Sequence, residues 1–213
     1  MKRDIYPYLV SWKNSSQRKP LILQGARQTG KTYILQEFGQ REFDDVFYFN
    51  FEENSQLDSL FSQSLDPKKI ISNLSLLSKK KILPEHHLLI FDEIQISNNA
   101  LNSLKYFQEK APEYRIASAG SLLGVKLSTP KSFPVGKVNF LDLLPMTFYE
   151  FLDGMGESGL REYLEDLDRI EPLPEAFHLQ LIDLLRYYFF CGGMPEAVRC
   201  LAEGNSPAEV RQV

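Results

Sequence analysis

The chain has 213 residues, of which 43% are hydrophobic and 24% are charged, so it can form a sizeable core and large-scale disorder is excluded. Its net charge of −4 gives no support to a nucleic-acid-binding protein that relies on overall positive charge, although a local basic groove is compatible with it. The two cysteines, Cys191 and Cys200, lack the partners of a disulfide framework or a zinc site. We find neither a signal peptide nor a membrane helix, and we therefore expect a cytoplasmic protein with no membrane partner.

Short apolar runs alternate with longer helical stretches over the first two thirds of the chain. In chain order, the pattern predicts a helix over 4–13, a strand over 20–24, a helix over 31–38 with Gly39 as its C-cap, a strand over 46–51, helices over 54–64 and 67–79, a strand over 87–91, a helix over 98–110, and strands over 114–118 and 138–141. Strands that alternate with helices in this way indicate an α/β fold in which helices cover both faces of a parallel sheet.

From residue 147 onward the pattern predicts only helices, over 147–152, 158–168, 174–190, 195–203 and 208–213. The last of these has no capping signal, so we expect the chain to be a fragment of a longer protein. The change from alternating strands and helices to helices alone predicts a P-loop ATPase core over residues 1–146 and a helical lid or linker segment over residues 147–213.

One segment, called the P-loop below, matches the phosphate-binding pattern G-x-x-x-x-G-K-[ST] in full: Gly25-Ala26-Arg27-Gln28-Thr29-Gly30-Lys31-Thr32. It lies between a predicted strand and a predicted helix, as this motif requires. Glycines let backbone N–H groups approach a phosphate, and the following helix directs its N-terminal dipole at the same group. The pattern predicts that all eight residues bind nucleotide, with Lys31 at the β- and γ-phosphates as a catalytic group and Thr32 as a magnesium ligand.

A second motif follows one helix and one strand later, where Leu88-Leu89-Ile90-Phe91 leads into Asp92-Glu93. An apolar strand that ends in two carboxylates has the Walker B form, and it places Asp92 at the edge of the sheet beside the P-loop. We expect Asp92 to hold Mg²⁺ through its water shell and Glu93 to act as the general base for an attacking water. A water-activating glutamate favours ATP hydrolysis over a small-molecule kinase, and no Asn-Lys-x-Asp guanine-reading motif occurs.

Three further polar residues are candidates for the same site. Ser118 or Ser121, near the end of the fourth strand, could sense the γ-phosphate, or either could be an ordinary turn serine. Asn50 follows the second strand, and it either holds Glu93 in an inactive orientation until a partner binds or is a plain strand-end residue.

Five blocks occur in a fixed order along the chain: Pro20-Leu21-Ile22-Leu23 with the P-loop, Leu89-Ile90-Phe91-Asp92-Glu93-Ile94-Gln95, Ala119-Gly120-Ser121, Leu144-Pro145-Met146-Thr147-Phe148-Tyr149-Glu150-Phe151-Leu152, and Gly192-Gly193-Met194-Pro195-Glu196. Together they resemble a bacterial and archaeal AAA-type P-loop ATPase family, the N-terminal ATPase domain of DUF4143-containing proteins. The resemblance implies a three-layer P-loop NTPase sandwich with a parallel five-stranded sheet in the order 5-1-4-3-2, then a small helical segment and a C-terminal domain that this chain lacks. It also implies ATP and Mg²⁺ as cofactors.

Two departures from that family bear on catalysis. Lys137 follows Gly136 where many relatives have arginine, and Ala119 replaces the usual threonine, so no arginine finger is identifiable. Arg186 and Arg199 are candidates for a contact to phosphate from within the same chain, or they lie on the surface.

The leading prediction is an ATPase that drives a conformational change in attached helical regions. The alternative is a slow or non-hydrolysing ATP-dependent switch that recruits a partner, which could be a second copy of the chain, another protein or nucleic acid.

Overall fold

The computed structural model of the chain describes residues 1–121, 136–169 and 172–211. Its elements are α1 (Tyr6–Asn14), β1 (Leu21–Gly25), α2 (Lys31–Glu42), β2 (Asp45–Asn50), α3 (Gln56–Gln63), α4 (Pro67–Ser78), β3 (His87–Asp92), a 3₁₀ turn (Ile94–Ile96), α5 (Asn98–Lys110), β4 (Arg115–Ser121), β5 (Asn139–Asp142), α6 (Phe148–Gly154), α7 (Ser158–Glu165), α8 (Glu175–Cys191), α9 (Pro195–Ala202) and α10 (Pro207–Val210). The predicted helix over 208–213 corresponds to α10 in part, and its last two residues lie outside the described ones.

Among the described residues, five strands form one parallel sheet in the order β2-β3-β4-β1-β5. This is the predicted order 5-1-4-3-2 read from the other edge, and the fold prediction is confirmed. Because the strands are parallel, their C-terminal ends meet at one edge, where Gly25 pairs with Ser121 and Asn50 pairs with Asp92. The end of β1 and the end of β3 are therefore on the same side of the sheet, with β4 between them.

Apolar side chains cover both faces of this sheet. On one face, α1 and α2 contribute the layer that contains Leu9, Leu35 and Phe38. On the other, α3, α4 and α5 contribute the layer that contains Phe61 and Phe91. The strands are accordingly apolar in both directions, as expected of a parallel sheet with helices on each side.

Trp12, the single tryptophan of the chain, lies in the first of these layers. Its side chain is 7% exposed, its indole Nε1 donates to the carbonyl oxygen of Lys19 at 2.8 Å, and its ring centroid is 6.2 Å from that of Phe38. The tryptophan therefore connects α1 to α2, the helix that follows the P-loop.

Gly39 does not end α2 as predicted, because the helix continues to Glu42. A β-carbon at this position would lie 2.5 Å from Cγ2 of Val46 and 3.1 Å from Cδ2 of Leu88. The glycine is thus an interior position where the helix packs closely on β2 and β3, and the helix ends where Phe43 becomes extended. The sequence pattern cannot distinguish this requirement from a C-cap, since both select glycine.

A second compact unit consists of Met1–Asp4 and the described residues of Leu144–Val213, whereas Ile5–Leu143 form the unit that contains the sheet. In the second unit Thr147 and Glu150 form a capping box at the start of α6. Glu150 also forms a buried ion pair with Arg3, 2.9 Å from Nε to Oε1, and accepts from the backbone N–H of Asp4 at 2.7 Å. The assignment of 1–146 and 147–213 as functional domains remains a prediction.

Candidate functional site

The P-loop lies between β1 and α2, as predicted. Gln28 and Gly30 have φ values of 62° and 87°, a left-handed conformation that a non-glycine residue adopts only at some energetic cost. Gly30 precedes α2 directly, and no side chain caps the N-terminus of that helix. The N–H groups of its first turn are therefore arranged as in a helix that accepts an anion.

Gly25 has a structural reason to be glycine besides the predicted approach to a phosphate. A β-carbon built at this position would lie 2.2 Å from the backbone oxygen of Leu143, which follows β5. The backbone of Leu143 is held beside β1, because its N–H donates to the carbonyl oxygen of Gln24 at 2.8 Å. It cannot move away as the end of a side chain can, so the close approach of β1 to the segment after β5 excludes any larger residue.

We expect Gly25→Ala to lower the free energy of unfolding by about 2 kcal/mol or more, because the added methyl overlaps a backbone oxygen. Thermal unfolding followed by circular dichroism measures the change. Gly159→Ala is the matched control, since Gly159 lies in α7 with no atom within 4 Å of the added β-carbon. That control should gain roughly 0.5–1 kcal/mol from helix propensity. Equal stability of the two variants would contradict the packing explanation.

Lys31 is 7% exposed and its ammonium lies over the P-loop backbone. Its Nζ donates to the carbonyl oxygen of Ala26 at 2.6 Å and to that of Gly25 at 3.3 Å. Burial lowers the pKa of Lys31, the carboxylates of Glu93 and Asp92 act in the opposite direction, and Arg27 lowers it further. The side chain predicted to reach phosphates thus lies in a cluster of charged groups at this edge of the sheet.

Asp92 is 3% exposed, and its carboxylate accepts three hydrogen bonds from residues that the structure describes. Its Oδ2 accepts from the hydroxyl of Thr32 at 2.6 Å and from the hydroxyl of Tyr48 at 2.8 Å, and its Oδ1 accepts from the backbone N–H of Glu93 at 3.0 Å. The structure therefore brings together the two residues predicted to bind Mg²⁺, Thr32 and Asp92, although they are far apart in sequence.

Tyr48 is a candidate site residue that the sequence pattern did not indicate. Burial, followed by the hydrogen bond to Asp92, raises the pKa of Tyr48, so the phenol remains a donor to the carboxylate. The contact between Tyr48 and Asp92 follows from the position of Tyr48 on β2, which is the neighbour of β3 in the sheet. Predicting this contact requires the strand order as well as the sequence pattern.

Glu93 has φ 50° and ψ 39°, and its Oε2 accepts a hydrogen bond from Nε2 of Gln95. Asn50, the residue considered as a partner of Glu93, makes other contacts. Its Nδ2 donates to the hydroxyl of Tyr48 at 3.4 Å, and its Oδ1 accepts from the backbone N–H of Glu52 at 2.9 Å. The Glu93 carboxylate is thus held by Gln95 rather than by Asn50.

The structure separates the two candidate serines. Ser118 pairs with Ile22 and Phe91 in the middle of the sheet, and its fully buried Oγ has no hydrogen-bond partner in the part of the chain that the structure describes. Ser121 ends β4 directly beside Gly25. Only Ser121 therefore lies at the edge where the P-loop begins.

The arginines considered for phosphate contact have local explanations. Arg27, one of the eight P-loop residues predicted to bind nucleotide, is exposed. Arg186 pairs with Asp183 at 2.8 Å, and Arg199 lies 3.9 Å from Glu203, each on its own helix with exposed side chains. These contacts are those of surface residues and give no support to a catalytic role for Arg186 or Arg199.

A family described as an AAA domain matches residues 17–152, which is more than half of the chain. The chain is also similar to the uncharacterized protein MJ1544 of Methanocaldococcus jannaschii, with 26% identity over 177 residues. That match covers 82% of this chain and 35% of the relative, so the chain spans much less than the full length of that protein.

Solved structures share the fold. The structure of Drosophila ORC bound to DNA is 17% identical, has a TM-score of 0.56, and is matched over 92% of this chain and 58% of that chain. A mutant of RuvB from Thermotoga maritima is 14% identical, has a TM-score of 0.55, and is matched over 95% of this chain and 61% of that chain. With a complete P-loop, the sheet order and the family match in agreement, the chain belongs to the AAA domain family, and nucleotide binding is the function that this membership supports.

Proposed function

We propose that the chain binds ATP with Mg²⁺ at the P-loop and hydrolyses it to ADP and phosphate. The observation that carries the proposal is the 2.6 Å hydrogen bond between the hydroxyl of Thr32 and Oδ2 of Asp92. This bond joins the end of the P-loop to the end of β3, and Glu93 is the next residue.

The residues present fit a nucleoside triphosphate. The uncapped N-terminus of α2 offers backbone N–H groups to a phosphate, and the dipole of this 12-residue helix favours negative charge there. The ammonium of Lys31 would exchange its bonds to the carbonyls of Gly25 and Ala26 for charge-assisted bonds to phosphate oxygens. Ser121 would report on the terminal phosphate, and its pairing with Gly25 at the end of β4 supports this role over Ser118.

The residues also fit a magnesium ion, which prefers oxygen ligands. Thr32 supplies a hydroxyl, and Asp92 supplies a carboxylate that Tyr48 and the N–H of Glu93 hold in one orientation. When bound, the ion would neutralise charge on the β- and γ-phosphates. Glu93 would accept the proton of the attacking water as general base.

The proposal is tested by calorimetric titration of the chain with ATP and with GTP, each with and without Mg²⁺, together with a measurement of phosphate release. We expect ATP to bind more tightly when Mg²⁺ is present and free phosphate to accumulate. Absence of ATP binding would overturn the site assignment. Binding without phosphate release would overturn the hydrolysis and leave the switch described below.

We expect Tyr48→Phe to raise the Mg²⁺ concentration needed for half-maximal ATP binding by roughly tenfold, because a residue that orients a metal ligand is removed. The free energy of unfolding should fall by about 1–2 kcal/mol, since the carboxylate of Asp92 loses one donor. Calorimetry at several Mg²⁺ concentrations measures the first effect, and thermal unfolding the second. Tyr8→Phe, at an exposed tyrosine of α1, is the control and should change neither. An unchanged Mg²⁺ requirement in Tyr48→Phe would refute the orienting role.

ATP use would drive a conformational change in the helical unit and in the regions attached to it. That unit has its own apolar core, which contains Met146, Phe151 and Val198, so it can respond as one body.

The ion pairs of Arg186 and Arg199 favour a second candidate function. Each arginine pairs with a carboxylate on its own helix, so neither supplies the arginine contact to phosphate that speeds hydrolysis. In this second function ATP is held with little turnover until a partner binds. The rate of phosphate release by the chain alone separates the two, and a partner protein, a second copy or DNA that raises this rate would identify the second.

A further inference from the structure

The contact between Glu93 and Gln95 is the strongest feature of the site that the proposed function does not use. The two residues are joined by the 3₁₀ turn Ile94–Ile96, which is closed by a hydrogen bond from the N–H of Ile96 to the carbonyl oxygen of Glu93 at 3.0 Å. Within this turn, Nε2 of Gln95 donates to Oε2 of Glu93. Because a carboxylate only accepts, the amide nitrogen is the atom that must face it.

The contact restrains one oxygen of the carboxylate and leaves the other for chemistry. Glu93 adopts a left-handed backbone conformation, which is strained for a non-glycine residue and fixes where its side chain starts. The amide of Gln95 then fixes Oε2. In the residues that the structure describes, Oε1 accepts no hydrogen bond, so it is the oxygen available to a water.

The contact lies beside the P-loop. Oδ2 of Asp92 accepts a hydrogen bond from the hydroxyl of Thr32 at 2.6 Å, and Oδ1 of Asp92 accepts from the backbone N–H of Glu93 at 3.0 Å. Asp92 therefore connects the backbone of Glu93 to the last residue of the P-loop.

The other atom of the amide indicates that this glutamine is not placed for stability alone. Oε1 of Gln95 is buried and accepts no hydrogen bond within residues 1–121, 136–169 and 172–211. Leaving a buried acceptor without a partner is unfavourable, so the amide of Gln95 lowers stability at the position where its nitrogen contacts Glu93.

We propose that Gln95 is a positioning residue for ATP hydrolysis: its amide holds Oε2 of Glu93 so that Oε1 can accept the proton of the attacking water. This inference rests on the proposed function. It differs from an inhibitory contact, because removal of the amide would slow the reaction rather than release it.

The first measurement concerns turnover. Gln95→Ala should lower kcat by roughly tenfold while KM and the calorimetric affinity for ATP with Mg²⁺ stay within about twofold, since only a group acting on the base is lost. Gln95→Glu, which replaces the donor by a like charge, should lower kcat at least as far. An unchanged kcat, a raised kcat, or a loss of ATP affinity in Gln95→Ala would each overturn the proposal.

The second measurement asks whether Gln95 acts through Glu93. In a Glu93→Gln background, Gln95→Ala should cause no further loss of kcat, because the group that it positions is already disabled. A tenfold loss in both backgrounds would show an independent effect and refute the positioning role. If Glu93→Gln retains wild-type turnover, the catalytic assignment itself fails, and the role of Gln95 fails with it. If Glu93→Gln abolishes turnover and Gln95→Ala does not reduce it, only the present inference fails.

A third measurement needs no nucleotide. In the ¹⁵N–¹H spectrum of the protein, the side-chain amide signals of Gln95 are identified by their loss in Gln95→Ala. We expect Glu93→Ala to shift these signals more than those of any other glutamine. Gln108 is the matched control, because its Oε1 too is buried without a partner among the described residues, but it lies near the end of α5. Gln108→Ala should leave kcat unchanged. Gln95 signals that do not respond to Glu93→Ala would overturn the contact.

Discussion

Replacing Lys31 by alanine is expected to weaken ATP binding by roughly 10- to 100-fold, because one charge-assisted contact to phosphate is lost. The ammonium is buried against the carbonyls of Gly25 and Ala26, where no other cation of the P-loop is buried with it. Calorimetric titration with ATP and Mg²⁺ measures the loss. The same protein should retain its far-ultraviolet circular dichroism.

Two controls isolate the charge of Lys31. Lys31→Met keeps most of the aliphatic stem, so an equal loss of affinity would assign the effect to the ammonium rather than to packing. Lys69→Ala makes the same change of net charge at an exposed lysine of α4 and should bind ATP as the parent does. Unchanged affinity in Lys31→Ala would refute the assignment of residues 25–32 as the nucleotide site.

Replacing Glu93 by glutamine is expected to lower kcat by roughly 10²- to 10⁴-fold, because a glutamine of the same shape cannot accept the proton of the attacking water. Affinity for ATP should remain close to that of the parent, since the P-loop and the Mg²⁺ ligands are untouched. Phosphate release at saturating ATP gives kcat, and calorimetry gives the affinity.

Glu53→Gln is the matched control for Glu93→Gln. Glu53 follows β2 at an exposed position, and its side chain forms no hydrogen bond or ion pair with any residue that the structure describes. We expect it to hydrolyse ATP at the parent rate. If Glu93→Gln also hydrolyses ATP at the parent rate, Glu93 is not the general base.

Most of the sheet was predictable because each strand is a short run of apolar residues bounded by polar ones or glycine. Asp66 shows how local chemistry fixed one boundary, since its side chain accepts from the N–H of Lys68 at the start of α4, as the Asp-Pro pair predicts. Gly39 shows the limit of this reasoning. Its neighbours Val46 and Leu88 are brought to it by the fold and are invisible in a local pattern.

In the candidate site, too, residues that are adjacent in sequence were predictable, and residues that only the fold brings together were not. The P-loop, Asp92 and Glu93 were predicted because each depends on residues that are adjacent in sequence. Tyr48 was not, since its contact with Asp92 exists only because β2 and β3 are neighbours in the sheet. Gln95 appeared in the sequence only as part of a family block, and the pattern could not show that its amide turns back to Glu93.

The single tryptophan gives the chain a label-free fluorescence reporter. Trp12 lies in the unit that contains the sheet, 7% exposed and next to Phe38 of α2, and the helical unit has no tryptophan. Its emission should shift to longer wavelength when the sheet unit unfolds and stay constant when the helical unit unfolds alone, whereas circular dichroism records both events. Comparing the two signals during heating therefore measures how tightly the unfolding of one unit is coupled to that of the other, and repeating the comparison with ATP and Mg²⁺ measures how far nucleotide changes this coupling.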